Sequence, residues 1–207
     1  VAVNPHWIIN DHVEWKKIYS LKTMDKIQTA FNPKDNIFYL VSNDKMTCFS
    51  PGTDNTVTTT IKHGHRAMVY ADYLQYDTLN NSLLSYNLEQ RLVSRYNKKS
   101  QSWSLDKEVI DEPAYSGHSW AVCDSVAYTF GGYGFYLFRN SLFKLNLNTN
   151  EITECAYSPA ITPRTSTASA VVDGKLYVFG GRGNESGKQE FASVYSVSYT
   201  HLRAHET

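Results

Sequence analysis

The stretch of sequence with the clearest binding chemistry is 133–140, which reads YGFYLFRN. It places Tyr133, Phe135 and Tyr136 close to Arg139 without the alternation that would bury aromatic side chains in a strand. Aromatic faces beside a guanidinium suit sugar rings, peptides and protein surfaces. We therefore predict that these four residues bind a ligand. An alternative stays open, in which 133–140 extends two strands and packs on a neighbouring sheet.

A second segment, 182–190, reads as a polar loop that opens with Arg182. Arg182 is the fifth predicted binding residue, although a solvated loop explains the charges of this segment better. Both segments follow apolar runs that end in two glycines. Binding residues on loops between strands are expected where the strands act only as a scaffold.

Histidine and cysteine residues give little sign of a metal, thiol or cofactor site. His63 and His65 are separated by one residue, but two imidazoles cannot complete a structural zinc site, and a catalytic site needs a third ligand. The cysteines, Cys48, Cys123 and Cys155, are odd in number and far apart, so no disulfide framework is predicted. We expect thiols that pack as small hydrophobes, and the sequence predicts no metal, no cofactor and no catalytic residue.

Composition excludes two classes of partner. The chain has 207 residues with 20 basic and 20 acidic side chains, so it has no basic footprint for nucleic acid. No apolar run approaches the roughly 18 residues of a membrane-spanning helix. A chain of this length can build a substantial core, and its 15 tyrosines and nine phenylalanines favour strands.

The strands that position these segments are predicted from a repeat. Tyr128–Gly132 (YTFGG) and Tyr177–Gly181 (YVFGG) end 49 residues apart, after turns at Asp124-Ser125 and Asp173-Gly174. Asp-Gly tolerates the positive φ that a hairpin turn needs. Two glycines at a strand end allow close approach of another backbone or a conformation closed to side chains. A repeat of this length indicates a solenoid or propeller.

Weaker copies of the same pattern precede these two. Asn87 and Ser42 stand where the second glycine stands, each 45 residues before the next copy, with large apolar residues and a turn at matching offsets. Each copy accommodates four short strands, so the predicted fold class is an all-β propeller of four-stranded antiparallel blades. First strands are predicted at 27–31, 67–76, 119–123 and 167–172.

The best-preserved copies resemble kelch repeats. Pro163-Arg164 followed by Ser169–Gly181 (SAVVDGKLYVFGG) resembles the kelch pattern of an arginine, a hairpin and a closing diglycine, and His118–Gly132 is similar. Trp103 suits the tryptophan of a kelch last strand. The earlier copies depart from the pattern, because Val41-Ser42 and Tyr86-Asn87 replace the diglycine.

The resemblance implies a kelch β-propeller like the central domain of galactose oxidase. The implied units are whole at 22–64, 65–114 and 115–160 and partial at 1–21 and 161–196. Since a closed propeller of this family has more blades, we expect residues 1–196 to be a fragment of a longer protein. Trp15, Trp103 and Trp120 are expected to pack between blades.

Two functions follow from the resemblance. The first is a non-catalytic module whose loops bind a protein or glycan, typically as an extracytoplasmic part of a longer chain at the periplasm or cell surface. The alternative is a carbohydrate-active kelch enzyme of the oxidase or sialic-acid epimerase type. The oxidases require a tyrosine cross-linked to a cysteine, a role that the sequence assigns to none of its three cysteines.

The last eleven residues, 197–207, read VSYTHLRAHET. This string resembles a one-frame translation of a transposase adapter used to build sequencing libraries. We therefore expect a non-native tail and a metagenomic, microbial source. Its removal takes away Arg203 and Glu206, which leaves the charge balance unchanged.

Overall fold

The structure is a computed structural model that describes residues 17, 19–20, 26–53, 55–67, 74–107, 116–158, 160–183 and 193–198. Within these residues every regular element is a β-strand and no α-helix is present. No helix long and apolar enough to cross a membrane is found in this part of the chain.

The strands form four antiparallel sheets and one small hairpin. Sheet I contains β1 (Gln28–Asn32), β2 (Ile37–Val41), β3 (Lys45–Phe49) and β4 (Thr56–Thr60) in sequence order. Sheet II contains β5 (Leu74–Asp77), β6 (Ser82–Asn87), β7 (Leu92–Asn97) and β8 (Ser102–Trp103). Sheet III contains β9 (Ser119–Cys123), β10 (Val126–Phe130), β13 (Leu142–Asn146) and β14 (Ile152–Cys155), and sheet IV contains β15 (Ala168–Val172), β16 (Lys175–Phe179) and β17 (Val194–Ser198). The hairpin consists of β11 (Tyr133–Gly134) and β12 (Leu137–Phe138).

Tight turns with left-handed residues join the first and second strands of each sheet. Asp173 and Gly174 have φ values of 46° and 73°, which is the conformation that Asp-Gly adopts in a two-residue hairpin turn. The corresponding turns of the other sheets contain Asn36, Asn81 and Asp124, also with positive φ. Asparagine and aspartate tolerate this region better than other side chains do, so the turns predicted from the sequence are confirmed.

At both diglycines the backbone adopts a conformation that side chains disfavour, and another backbone segment lies close by. Both features are the ones that the sequence indicates. Gly131 and Gly181 have φ values of 74° and 93°. A Cβ atom on Gly131 would lie 2.4 Å from the carbonyl oxygen of Arg164, and one on Gly181 would lie 2.7 Å from that of Thr165. Any side chain here would push apart the strand end and the segment that connects sheets III and IV.

The hydrophobic core of the described residues lies between neighbouring sheets. One cluster joins sheets I and II, one joins II and III, and one joins III and IV. The buried residues between sheets II and III are Leu84, Tyr86, Leu88, Ala127, Phe143, Leu145, Leu147 and Ile152. Face-to-face stacking of this kind is required because a single small sheet cannot bury both of its faces.

The predicted fold class is therefore confirmed. The described part of the chain is all-β, and three of its four antiparallel sheets have four strands, an arrangement consistent with the blades of a kelch β-propeller. The predicted unit boundaries and the fragment hypothesis stay predictions, and the partial unit 1–21 falls almost wholly outside the described residues. The third strand of sheet IV extends to Ser198, so it includes the first two residues of the predicted tail.

One predicted strand lies only partly within the described residues. The sequence predicts a first strand over 67–76, and the structure has β5 over Leu74–Asp77, so the part of this strand before Leu74 stays a prediction. Further back in the chain, Arg66 ties its segment to sheet I. Its guanidinium donates hydrogen bonds to Gln28 Oε1 at 2.6 Å and Asn43 Oδ1 at 2.9 Å.

Candidate functional site

The predicted aromatic loop continues the hairpin of β10 and β13 beyond the ends of these two strands. The N–H of Gly131 donates to the carbonyl of Ser141 at 3.0 Å, and Tyr133 and Ser116 exchange two backbone bonds of 2.8 Å, so the alternative interpretation, in which 133–140 extends two strands, agrees with the backbone. Ligand binding by this stretch stays a prediction. Within it, Tyr133 pairs with Phe138 and Gly134 pairs with Leu137. We call Tyr133–Phe138 the aromatic hairpin.

The tip of the aromatic hairpin has an unusual backbone conformation. Phe135 and Tyr136 have φ values of 52° and 61°, so both central residues of a two-residue turn are left-handed. This turn type normally requires Asn-Gly or Asp-Gly. Bulky side chains pay about 1–3 kcal/mol each in such a conformation, and residues that persist in it concentrate at functional sites.

The tip also exposes apolar surface. Tyr136 is 92% exposed and Leu137 57%, with Phe135 and Tyr133 at 39% and 37%. The rings of Tyr133 and Phe138 contact each other at 4.9 Å between centroids, which gives the hairpin some internal packing. The result is a projecting patch of aromatic and aliphatic carbon in water, the kind of surface that marks an interaction site.

The base of the hairpin is held firmly by backbone hydrogen bonds. The N–H of Arg139 donates to the carbonyl of Gly132 at 2.8 Å, and the N–H of Gly132 donates to that of Arg164 at 2.8 Å. The N–H of Arg164 donates in turn to the carbonyl of Arg139 at 2.9 Å. Tyr157 Oη adds a bond to the carbonyl of Asn140 at 2.6 Å, and burial raises the pKa of this phenol. A rigid base with an exposed tip is a pre-organised binding element.

Arg164 is the side chain that secures this junction. It is fully buried, and its guanidinium donates to the carbonyls of Thr162 at 3.0 Å and Gly180 at 2.9 Å and to Ser193 Oγ at 3.1 Å. The guanidinium carbon also lies 5.0 Å from the ring centroid of Tyr195, a cation–π distance. From the sequence, Arg164 is recognised only as part of the kelch pattern. Its role in securing the junction is not predicted, because the acceptors Gly180 and Ser193 lie far away along the chain.

Arg182 lies at the same end of the structure as the hairpin base. It is exposed, and its backbone exchanges two 2.9 Å hydrogen bonds with Thr165, next to Arg164. The segment 164–165 therefore connects both predicted loops. Residues 184–190 lie outside the described residues. Arg139 is only partly exposed, and its backbone N–H and carbonyl both take part in the junction.

Sequence reasoning missed three exposed apolar residues near these loops. Leu137 belongs to the tip, and Phe179 and Val194, which face each other across β16 and β17, are 38% and 57% exposed. Phe179 directly precedes the diglycine of sheet IV. The alternation of a strand predicts burial on one face but does not indicate which apolar residues stay uncovered at its end.

The most perturbed titratable group lies in the core between sheets II and III. His118 is buried, and its Nε2 lies 2.6 Å from Tyr86 Oη. Burial lowers the pKa of this imidazole to about 4. The ring of Tyr86 stacks on that of Trp120 at 4.9 Å. Trp120 and Trp103 thus pack between sheets, as the sequence predicts, whereas Trp15 lies outside the described residues.

The remaining candidate ligands are held by backbone contacts or packing. His63 and His65 form isolated bridges to Ser102 and Leu105. The three cysteines are half-buried and pack against apolar clusters, as the sequence predicts for small hydrophobic side chains. Within the described ranges no group of three or more histidine, cysteine or acidic side chains is placed to hold a metal ion.

Comparison with known proteins agrees with the repeat pattern. Residues 163–201 match the family model described as the Kelch motif. The chain is also 31% identical over 110 residues to tip elongation aberrant protein 3 of Schizosaccharomyces pombe, a match covering 50% of this chain and 9% of that protein. The chain thus spans about a tenth of the length of this curated relative. The family-model match agrees with the kelch resemblance of the last repeat copy.

Proposed function

We propose that this chain is a non-catalytic interaction module whose aromatic hairpin binds a protein partner. The observation that carries the proposal is the tip, where two adjacent aromatic residues hold a costly left-handed turn and one of them, Tyr136, is 92% exposed. A strained and solvent-exposed aromatic pair reduces the stability of the free protein. Binding energy from an apolar pocket on a partner offers a physical reason for such a turn.

A protein partner fits this surface better than a glycan. Leu137 adds an aliphatic side chain to the exposed rings, and such a mixture suits an apolar pocket more than the face of a sugar. Kelch repeats generally mediate protein interactions, which agrees with the motif in 163–201. No feature of the described residues favours the carbohydrate-active alternative, since the most buried histidine, His118, packs against Tyr86.

The proposal is tested by site-specific photo-crosslinking followed by affinity measurement. A photoreactive phenylalanine analogue at position 136 should capture a partner from an extract of the source cells, whereas the same analogue at Val57, which is 61% exposed on β4, should not. The captured protein is then purified and titrated against the wild type and against Tyr136→Ser. We expect about 30-fold weaker binding by this variant, as for a hot-spot aromatic residue.

Val57→Ser serves as the matched control, because it removes a comparably exposed apolar side chain elsewhere and should leave the affinity unchanged. Equal affinity of Tyr136→Ser and wild type for the captured partner would overturn the proposal. Selective binding of the wild type to a glycan array, lost in Tyr136→Ser, would instead assign the hairpin to carbohydrate recognition.

A further inference from the structure

A polar groove lies between sheets II and III, at the turns that join their strands. It encloses about 670 Å³ and is lined by residues of the turns after β5, β7 and β13. In sheet III the turn after β13 and the aromatic hairpin after β10 lie at opposite strand ends, because successive antiparallel connections alternate between ends. The groove is therefore separate from the site described above.

Arg95 forms the floor of the groove and joins the two sheets. Its guanidinium pairs with the buried carboxylate of Asp77, and it donates to the carbonyl of Leu147 at 2.6 Å and to Asn150 Oδ1 at 2.7 Å. These contacts satisfy the guanidinium and balance its charge. Arg95 is thus a structural residue that fixes the width of the groove.

Two exposed lysines supply the net charge of the groove. Lys98 and Lys99 both line it, and none of the described lining residues carries a carboxylate. The ammonium of Lys98 lies 5.7 Å and 5.8 Å from the ring centroids of Tyr76 and Tyr39. This cation–π contact limits the positions open to a long and otherwise mobile side chain.

The asparagines of the groove present donors to it. Asn97 Oδ1 accepts the backbone N–H groups of Lys99 at 2.9 Å and Ser100 at 3.2 Å. Asn150 Oδ1 accepts the Nε–H of Arg95. Because the Oδ1 atom of each side chain accepts these bonds, the orientation of each amide is fixed. The Nδ2 groups of Asn97 and Asn150 are then the donors that a ligand can use. Ammonium and amide donors together match an oxyanion.

We propose that this groove binds a sugar-sized molecule carrying a phosphate or sulfate ester. The tetrahedral oxyanion lies against the turn that carries Lys98 and Lys99, whose positive charges attract it, and the Nδ2 groups of Asn97 and Asn150 donate to it or to the adjoining hydroxyls. The volume lies in the range of small-molecule sites. Apolar side chains in the lining are confined to Tyr96 and Leu147, so the groove lacks the apolar pockets that a peptide would require.

Calorimetric titration of the whole chain tests the proposal with defined probes. These are glucose 6-phosphate, a sulfated disaccharide, inorganic phosphate, unmodified glucose and a phosphoserine peptide. We expect one-to-one binding of at least one ester-bearing sugar, tighter than that of inorganic phosphate, and none of glucose. A preference for the phosphate or the sulfate ester identifies the physiological oxyanion.

The variant Lys98→Gln with Lys99→Gln should weaken this binding about tenfold or more, because both charge-assisted contacts are lost. The matched control is Lys45→Gln with Lys175→Gln, which removes two exposed lysines outside the groove and should leave the affinity unchanged. The proposal is overturned if neither sugar ester binds, if glucose binds equally well, if both double variants weaken binding alike, or if the phosphopeptide binds more tightly.

Discussion

Single residues in this molecule carry roles that depend on remote partners. Arg66 ties the start of one predicted unit to sheet I, Arg95 joins sheets II and III, and Arg164 secures the base of the aromatic hairpin. Each guanidinium is buried or half-buried and donates to carbonyl or side-chain oxygens. Arginine suits such positions because its fork reaches several acceptors while its charge is spread over a planar group.

His118 gives the first prediction, which concerns pH. Its pKa is about 4 in the folded protein against about 6.5 in an unfolded chain. Between these values the unfolded chain binds a proton that the folded protein does not, so folding stability is complete above pH ~6.5 and is lost as the pH falls. The full loss is about 3 kcal/mol. Urea unfolding followed at several pH values between about 7 and 4 measures it.

The control for this prediction is His118→Gln, whose amide can still bond Tyr86 Oη but does not titrate. The wild type should lose about 3 kcal/mol more than this variant over the same pH range. Parallel stability curves for the two proteins would show that burial of His118 does not control the acid sensitivity.

At the scale of the element, the aromatic hairpin conflicts with local preference. Its two-residue turn needs left-handed residues, yet the chain places Phe135 and Tyr136 there. Replacement by Asn and Gly should relieve the turn and raise the free energy of unfolding by about 2 kcal/mol. Urea unfolding of the double variant Phe135→Asn with Tyr136→Gly measures this gain.

The matched control for the hairpin is Phe135→Ala with Tyr136→Ala, which removes the rings but keeps side chains that disfavour positive φ. It should be no more stable than the wild type. If both double variants gain equally, exposed rings and not the turn conformation account for the effect. The stabilised Asn-Gly variant should also lose the proposed partner, in line with a trade between stability and function.

The elements also show which features a sequence can predict. Asp173-Gly174 and the diglycines predict hairpins and strand ends, because glycine and aspartate prefer turn conformations whatever their distant contacts are. The turn at Phe135 and Tyr136 lacks any such signal, although backbone bonds among Gly132, Arg139 and Arg164 hold the base of the hairpin. The aromatic loop is predicted from its residue types, whereas the contacts of Arg66 with Gln28 and Asn43 join remote parts of the chain and leave no local signal.

At the scale of the molecule, the sheets depend on one another. Each described cluster is built from residues of two neighbouring sheets. The groove follows from the same stacking, because Lys98 and Asn150 belong to different sheets and meet only when these pack. No local pattern in the sequence could place these two residues together.

The last prediction tests this mutual dependence. Leu84 belongs to β6 and is fully buried among residues of sheet III, including Leu145. Leu84→Ala should lower the free energy of unfolding by about 2–5 kcal/mol through the lost apolar contact and the remaining cavity. Because the cluster is shared, hydrogen exchange should accelerate at Leu145 of sheet III as much as within sheet II. Val57→Ala, an exposed position on β4, should change neither. Faster exchange confined to sheet II would mean that each sheet opens alone and that the stacked core contributes little to cooperativity.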